Sequence, residues 1–138
     1  MPIELRNSDR LAPSQGFAHA SIAPAGRLVH LAGQIGTDAS GTLADGLAAQ
    51  TEQALANLVD ALAAADAAPA NLVKTTIYVV QWTEAMQADL FAGIVAASQK
   101  VPLPEVPVTL IGVHSLFRDA ALVEVEGVAV LETSPPPA

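Results

Sequence analysis

Cysteine is missing from this 138-residue chain altogether. That excludes disulfides, thiol nucleophiles and thiolate zinc sites, and it fits a cytosolic home. Basic residues are scarce: Arg6, Arg10, Arg27, Lys74, Lys100 and Arg118 are spread along the chain without clustering, against a formal net charge of −8. Phosphate backbones are bound mainly by Lys and Arg displacing counterions, so no nucleic-acid partner is expected. No apolar run approaches the roughly 18 residues of a membrane span. The start, Met1-Pro2-Ile3-Glu4-Leu5-Arg6, carries no basic-then-apolar signal. The reading is a cytoplasmic protein with no membrane partner. What is abundant is alanine, 28 residues scattered through helical stretches rather than gathered in one greasy block.

The length fits one domain with a core of about residues 16–131, and residues 132–138, ending Ser134-Pro135-Pro136-Pro137-Ala138, read as a disordered tail. Residues 1–15 show no clear periodicity. Phe17–Ile22 and Leu28–Gln34 read as two strands of a hairpin turned by Ala23-Pro24-Ala25-Gly26. After a loop over Gly36–Gly46, Leu47, Thr51, Leu55, Leu58, Leu62 and Ala65 recur at steps of four and three, which predicts a helix over Leu47–Ala65. Gln50, Gln53, Asn57 and Asp60 share another face of it. Leu72–Val80 is β-branched or aromatic at most positions and predicts a strand. Thr83 is a candidate N-cap for a second helix to about Ser98, with Met86, Leu90, Ile94 and Ala97 as its stripe. Val101–Pro107, with three prolines, delivers the chain into strands Val108–Phe117 and Leu122–Leu131.

This order is ββαβαββ, an α+β domain with two helices on one face of a mixed sheet. In Val108–Phe117 both alternating sets are apolar: Val108, Leu110 and Leu116 on one side, Ile111, Val113 and Phe117 on the other. Two helices cover only one face of a sheet, so the pattern predicts a closed homo-oligomer that covers the other.

Chemistry-bearing motifs are few. Gly33-Gln34-Ile35-Gly36 has neither the following Lys-Ser/Thr nor the spacing of a nucleotide loop, and reads as a strand ending in a tight turn. His19, His30 and His114 have no metal-ligand spacing, so no metal is expected, and each reads as an edge, cleft or interface residue. The serines lack a nucleophile elbow. Glu124 and Glu126 are two apart on a strand and face the same way. Paired carboxylates serve acid–base chemistry when their environments separate their pKa values, while the plainer reading is a solvated sheet edge.

Taken together, several segments resemble the Rid/YjgF family, the reactive-intermediate imine deaminases once labelled L-PSP endoribonucleases. Leu28-Val29-His30-Leu31-Ala32-Gly33-Gln34-Ile35 resembles the strand that usually ends in Ser-Gly-Gln. Gln50-Thr51-Glu52-Gln53-Ala54-Leu55-Ala56-Asn57-Leu58 resembles the family's Gln-Thr-x-Gln-x-Leu-x-Asn-Leu. Val73-Lys74-Thr75-Thr76-Ile77-Tyr78-Val79 and Leu122-Val123-Glu124-Val125-Glu126-Gly127-Val128-Ala129 resemble its later strands. The resemblance implies a chorismate-mutase-like fold and a homotrimer whose sheets form a central barrel. It also implies a small-molecule ligand in the cleft between subunits, hydrolytic deamination of 2-imino acids, and no cofactor. In typical members an arginine binds the substrate carboxylate, and a glutamate or backbone carbonyl positions the attacking water.

The chain departs from that pattern at the cleft. Counting back from Glu124, the arginine position falls on Val108. The tyrosine falls on Phe17, the next glutamine on His19 and the serine on Ala32. Glu124 and the Gly33-Gln34 backbone remain, with His30 and His114 as further polar candidates. By two-residue alternation His30 shares a face with Ala32, and His114 with Val108. These replacements predict a pocket remade for a more apolar ligand. Three functions follow: hydrolysis of an imine or enamine that lacks the usual carboxylate, non-catalytic binding or a chaperone-like surface, and, disfavoured by charge, RNA cleavage.

Overall fold

Leu47, Thr51, Leu55, Leu58 and Leu62 are all buried on one side of a helix, α1, that spans Leu47–Ala64. The computed structural model describes residues 2–133. Around α1 lie strands β1 (Glu4–Arg6), β2 (Ala20–Ile22), β3 (Gly26–Ile35), β4 (Leu72–Val80), β5 (Val108–Val113) and β6 (Val123–Glu132), and a second helix, α2 (Gln87–Lys100). Thr83 introduces a single 3-10 turn, Glu84–Met86, and α2 proper begins one turn later than its sequence predicts.

The main sheet has the order β3-β6-β4-β5. β6 runs antiparallel to both β3 and β4, while β4 and β5 are parallel. β3, β4 and β5 therefore point the same way. α1 connects β3 to β4 and α2 connects β4 to β5, and the right-handed preference of such crossovers puts both helices on one face. This is the mixed α+β arrangement expected.

Packing follows the alternation of the central strands. Val123, Val125 and Ala129 of β6, with Ile77 and Val79 of β4, are buried against Leu55, Leu58 and Leu62 of α1 and Leu90 of α2. The helices approach closely at Gly93, where a Cβ would run into the Ala48 carbonyl and Thr51. The polar face of α1 staples loops. Asn57 Nδ2 donates to the carbonyls of Ile35 and Thr37 at 2.9 and 2.8 Å. Buried Gln50 donates to Ala120 and accepts from Leu122 N–H at 2.8 Å.

Four expectations need correction. Residues Glu4–Arg6 form a strand, and β2 pairs with it rather than with β3. The turn at Pro24 carries the chain past the β3 edge, and the Ser21 hydroxyl donates instead to the Val73 carbonyl at 2.6 Å. β5 stops at Val113, so His114, Leu116 and Phe117 belong to a loop and not to a strand face. The uncovered face of the sheet is less apolar than that longer strand implied. It mixes Leu28, Ile111 and Val128 with Lys74, Thr76, Tyr78, Glu124 and Glu126, as the pairing register requires. Finally, β6 continues to Glu132, beyond the point where a tail was expected; the Pro-rich remainder lies outside the described residues.

Candidate functional site

Two separate concentrations of chemistry emerge, one on each face of the sheet. On the uncovered face the alternation of β6 that buries Val123 and Val125 turns Glu124 and Glu126 outward. Tyr78 pairs with Glu124 across the ladder and donates its hydroxyl to Glu126. Nearby, Lys74 Nζ donates to Thr109 Oγ1 at 2.5 Å. His30, Lys74, Thr76 and Glu126 border a recess of about 250 Å³.

The Glu126 hydrogen bond, then burial and the negative charges of Glu126 and Glu124, push the Tyr78 hydroxyl above the ordinary tyrosine range. Stability from this bond is therefore fully present below the unfolded-state value and is lost as pH rises through the higher folded value. Because Tyr78 is the single tyrosine of the chain, phenolate absorbance reads it directly. In alkaline titration the native protein is expected to ionise later than the denatured one. Glu126→Gln is expected to shrink the difference; coincident native and denatured curves would refute the assignment.

At the neighbouring end of the sheet, β3 and β6 shift register between Leu31 and Gln34. This bulge at Ala32-Gly33 breaks two-residue alternation, so His30 and Ala32 do not inherit a common face from parity. The Glu124 carboxylate packs directly on Gly33, where any Cβ would overlap it. Gln34 Nε2 folds back to donate to the Ala32 carbonyl at 3.2 Å. Glu124, Gly33 and Gln34 thus lie together at this end of the sheet.

On the helix face lies a cavity of about 290 Å³ at the β5 edge, between α2, β4 and the segment leading into β2. Its walls include Phe17, Phe91, Ile94, Val108 and Leu110, with Gln15 at the rim. Val108 and Phe17, the positions at which the family resemblance expects arginine and tyrosine, both line this cavity. The cavity has no charged side chain in its lining. Lys74 serves the opposite face, so it offers this cavity no cation within one chain.

The expected cleft residues are therefore split. Phe17 and Val108 belong to the apolar cavity; Glu124, Gly33 and Gln34 belong to the other face. His19 does neither job: its Nδ1 accepts from Ser8 N–H and its Nε2 pairs with the Ala12 carbonyl, both at 3.1 Å, which pins the N-terminal segment. His30 is exposed on the uncovered face, and His114 is exposed just past β5, where parity with Val108 no longer applies. Among the described residues no group of three His, Asp or Glu side chains is placed to hold a metal. Also among the described residues, no helix is long and apolar enough to cross a membrane. Sequence reasoning missed Phe91 as a cavity wall, although it follows Leu90 on α2 and falls off the buried stripe, which is the signal for a residue facing elsewhere. It also missed Lys74, whose outward turn depends on the irregularity between Leu72 and Lys74.

Comparison with known proteins agrees with this architecture. The model of the family described as endoribonuclease L-PSP matches residues 7–131. The crystal structure of YyfB from Yersinia pestis, a Rid-family protein of unknown function, is 34% identical. It matches with a TM-score of 0.83 over 95% of this chain and 100% of its own. The YjgF product of E. coli is 25% identical, with a TM-score of 0.68 over 86% of this chain and 97% of that one. E. coli TdcF, solved with bound serine, shares the fold at 19% identity and a TM-score of 0.67, over 86% and 97% of the two chains. No curated protein matches the chain in sequence. With the family model spanning nearly all of the described residues, this chain belongs to the Rid/YjgF family, the family described as endoribonuclease L-PSP.

Proposed function

We propose that the protein binds a small uncharged imine or enamine in the apolar cavity and hydrolyses it at a cleft that two copies of the chain build together. The carrying observation is the cavity itself, whose walls are apolar where the family resemblance expects an arginine and a tyrosine. Carboxylates gain most of their binding from charge-assisted, preferably bidentate, partners. A cavity walled by Val108, Phe17 and Leu110 instead rewards hydrocarbon. TdcF, which holds serine, supports small-molecule binding as a use of this fold. The net charge of −8 and the scattered cations speak against RNA as the substrate.

In this reading Glu124 of a second copy reaches the cavity mouth and holds a water through its carboxylate. The water oxygen adds to the imine carbon while one of its protons passes to the nitrogen; the new hydroxyl then gives up its remaining proton to the nitrogen as the carbon–nitrogen bond breaks, and ammonia leaves behind a carbonyl. The homotrimer that the family resemblance implies supplies the neighbouring copy, and the cytoplasm the setting. No metal or organic group enters the scheme.

A second reading, binding without chemistry, draws on one observation: within a single chain Glu124 and the cavity lie on opposite faces of the sheet. One experiment separates the two. A flavin amine oxidase acting on cyclohexylamine releases a neutral imine, and semicarbazide trapping reports its lifetime. The protein is expected to shorten that lifetime, and Glu124→Gln is expected to abolish the effect. If the lifetime is unchanged while cyclohexanol still raises the melting temperature, the binding reading replaces the catalytic one.

A further inference from the structure

Gln50, Thr51 and Thr75 are the buried polar side chains among the described residues. Two of them are matched within the fold. Thr51 Oγ1 donates to the Leu47 carbonyl at 2.7 Å, and Gln50 holds the Ala120 carbonyl and Leu122 N–H. Thr75 is 9% exposed, yet its hydroxyl has no hydrogen-bond partner among the described residues. Its backbone is engaged, the N–H donating to the Pro107 carbonyl at 3.1 Å. The sheet offers the side chain no partner. Across the ladders stand Val108 on one side and Gly127, which has no side chain, on the other. Two residues along β4, on the same face, comes buried Ile77. Buried polar groups are nearly always hydrogen-bonded, so an unmatched one calls for a reason.

The oxygen is not sealed in. Among the described residues, no buried side-chain nitrogen or oxygen is shut off from solvent without a partner. What Thr75 opens onto is the apolar cavity at the β5 edge. Leu58 and Leu90, each 1% exposed, mark the inner end of this cavity, and exposed Phe91 and Gln15 mark its mouth. Gln15 is the other polar side chain of the lining. Thr75, buried with the leucines, is thus the polar group of the inner end. Valine has nearly the same shape, is at home in a strand and would leave nothing unmatched. A threonine here makes sense where a bound molecule completes its hydrogen bond.

We infer that the Thr75 hydroxyl is the specificity-determining contact of the cavity. It donates to the acceptor atom of a small neutral ligand, a carbonyl oxygen or imine nitrogen, whose hydrocarbon lies against Phe17, Ile94 and Leu110. This inference rests on the proposed reading of the cavity as the ligand site, but not on catalysis there. One hydroxyl matches one such atom. An amide or a carboxylate would bring further polar atoms, or a charge, that nothing at the inner end answers. A pure hydrocarbon would leave the hydroxyl itself unmatched. A site that hydrogen-bonds its ligand discriminates most sharply against analogues lacking that atom.

Two probes of one shape test it. Cyclohexanone is the ketone left by hydrolysis of the cyclohexylamine-derived imine, and methylenecyclohexane carries a CH2 group in place of the oxygen. Each is titrated against the methyl NMR resonances of Ile94 and Leu110 in the full chain. Thr75→Val is expected to weaken the ketone about fivefold and to leave the hydrocarbon unchanged or tighter. Thr75→Ser, which keeps the hydroxyl, is expected to keep the wild-type ratio of the two dissociation constants. Without ligand, Thr75→Val is expected to melt no lower than wild type, because no hydrogen bond within the fold is lost. A wild-type ratio in Thr75→Val, or a lower melting temperature without ligand, would overturn this inference alone. Shifts from neither probe would sink it together with the cavity as ligand site. Ketone selectivity without any shortening of imine lifetime would sink the catalytic reading and leave the Thr75 contact standing.

Discussion

2-Iminobutyrate released by an amino-acid oxidase is expected to survive about as long with this protein as without it. The cavity holds Val108 where a carboxylate-binding arginine is expected, and no charged side chain lines it. Losing one charge-assisted pair of about 3 kcal/mol lowers turnover by about two orders of magnitude against an arginine-containing relative. The absent hydroxyl at Phe17 deepens the deficit. Lys74 does not compensate within the chain, since it is turned to the other face and engaged with Thr109. Semicarbazide trapping of the imine measures the effect. Val108→Arg is expected to recover only part of the rate, because the guanidinium would enter a cavity whose remaining walls are hydrocarbon. Turnover equal to that of the arginine-containing relative would show that another cation, brought by a second copy, binds the carboxylate. Full recovery from Val108→Arg would mean that the loss is a single-residue defect rather than a remade pocket.

The second large effect concerns the core. Leu58 is 1% exposed, at the centre of the α1 face that packs on the sheet. Leu58→Ala is expected to cost about 3 kcal/mol, the lost transfer energy plus the cavity left behind. Urea unfolding checks it, at one fixed protein concentration, because assembly makes apparent stability depend on concentration. Ala56, two residues away on the other side of α1 and exposed, serves as the control: Ala56→Ser there is expected to change stability by less than about 0.5 kcal/mol. A cost at Leu58 as small as the control's would mean that the α1 face is not the main support of the sheet.

Much of this fold was legible because its signals are local and redundant. The five-residue leucine and threonine stripe of α1 and the strict alternation of Val123 to Ala129 leave one arrangement that buries both. What was lost in reading was set by contacts that a linear pattern does not carry. β1 is three residues long and exists only because β2 turns away from β3 to meet it. Alternation ran on past Val113 in the sequence because Leu116 and Phe117 are apolar, but the chain leaves the sheet there. At the site, Glu124, Gly33 and Gln34 were grouped only through the family resemblance, and the structure places the Glu124 carboxylate on Gly33. Phe17 and Val108, both cleft positions by resemblance, line one cavity. Their separation from Glu124 was not readable, since spacing along strands says nothing about which residues two chains must share. His19 shows the remaining difficulty: a histidine at a cleft-like position turns out to hold the N-terminal segment through both ring nitrogens.

The place of β6 has a consequence for how the chain comes to be folded. It follows every other strand of the main sheet in sequence, yet it sits between β3 and β4, so that within this sheet only β4 and β5 can pair before it arrives. During synthesis, β3 and β4 leave the ribosome with facing edges unpaired and α1 with its leucines only half covered. Nothing short of the arrival of β6 can zip them together. Nascent chains should therefore be held open until β6 has emerged, rich in non-local contacts still to be made and slow to close. They are also exposed to edge-to-edge pairing with their neighbours on the same message. Removing a few residues from the end of β6 should thus do more harm than removing the same number from β1, and should show first as chaperone dependence rather than as lost activity.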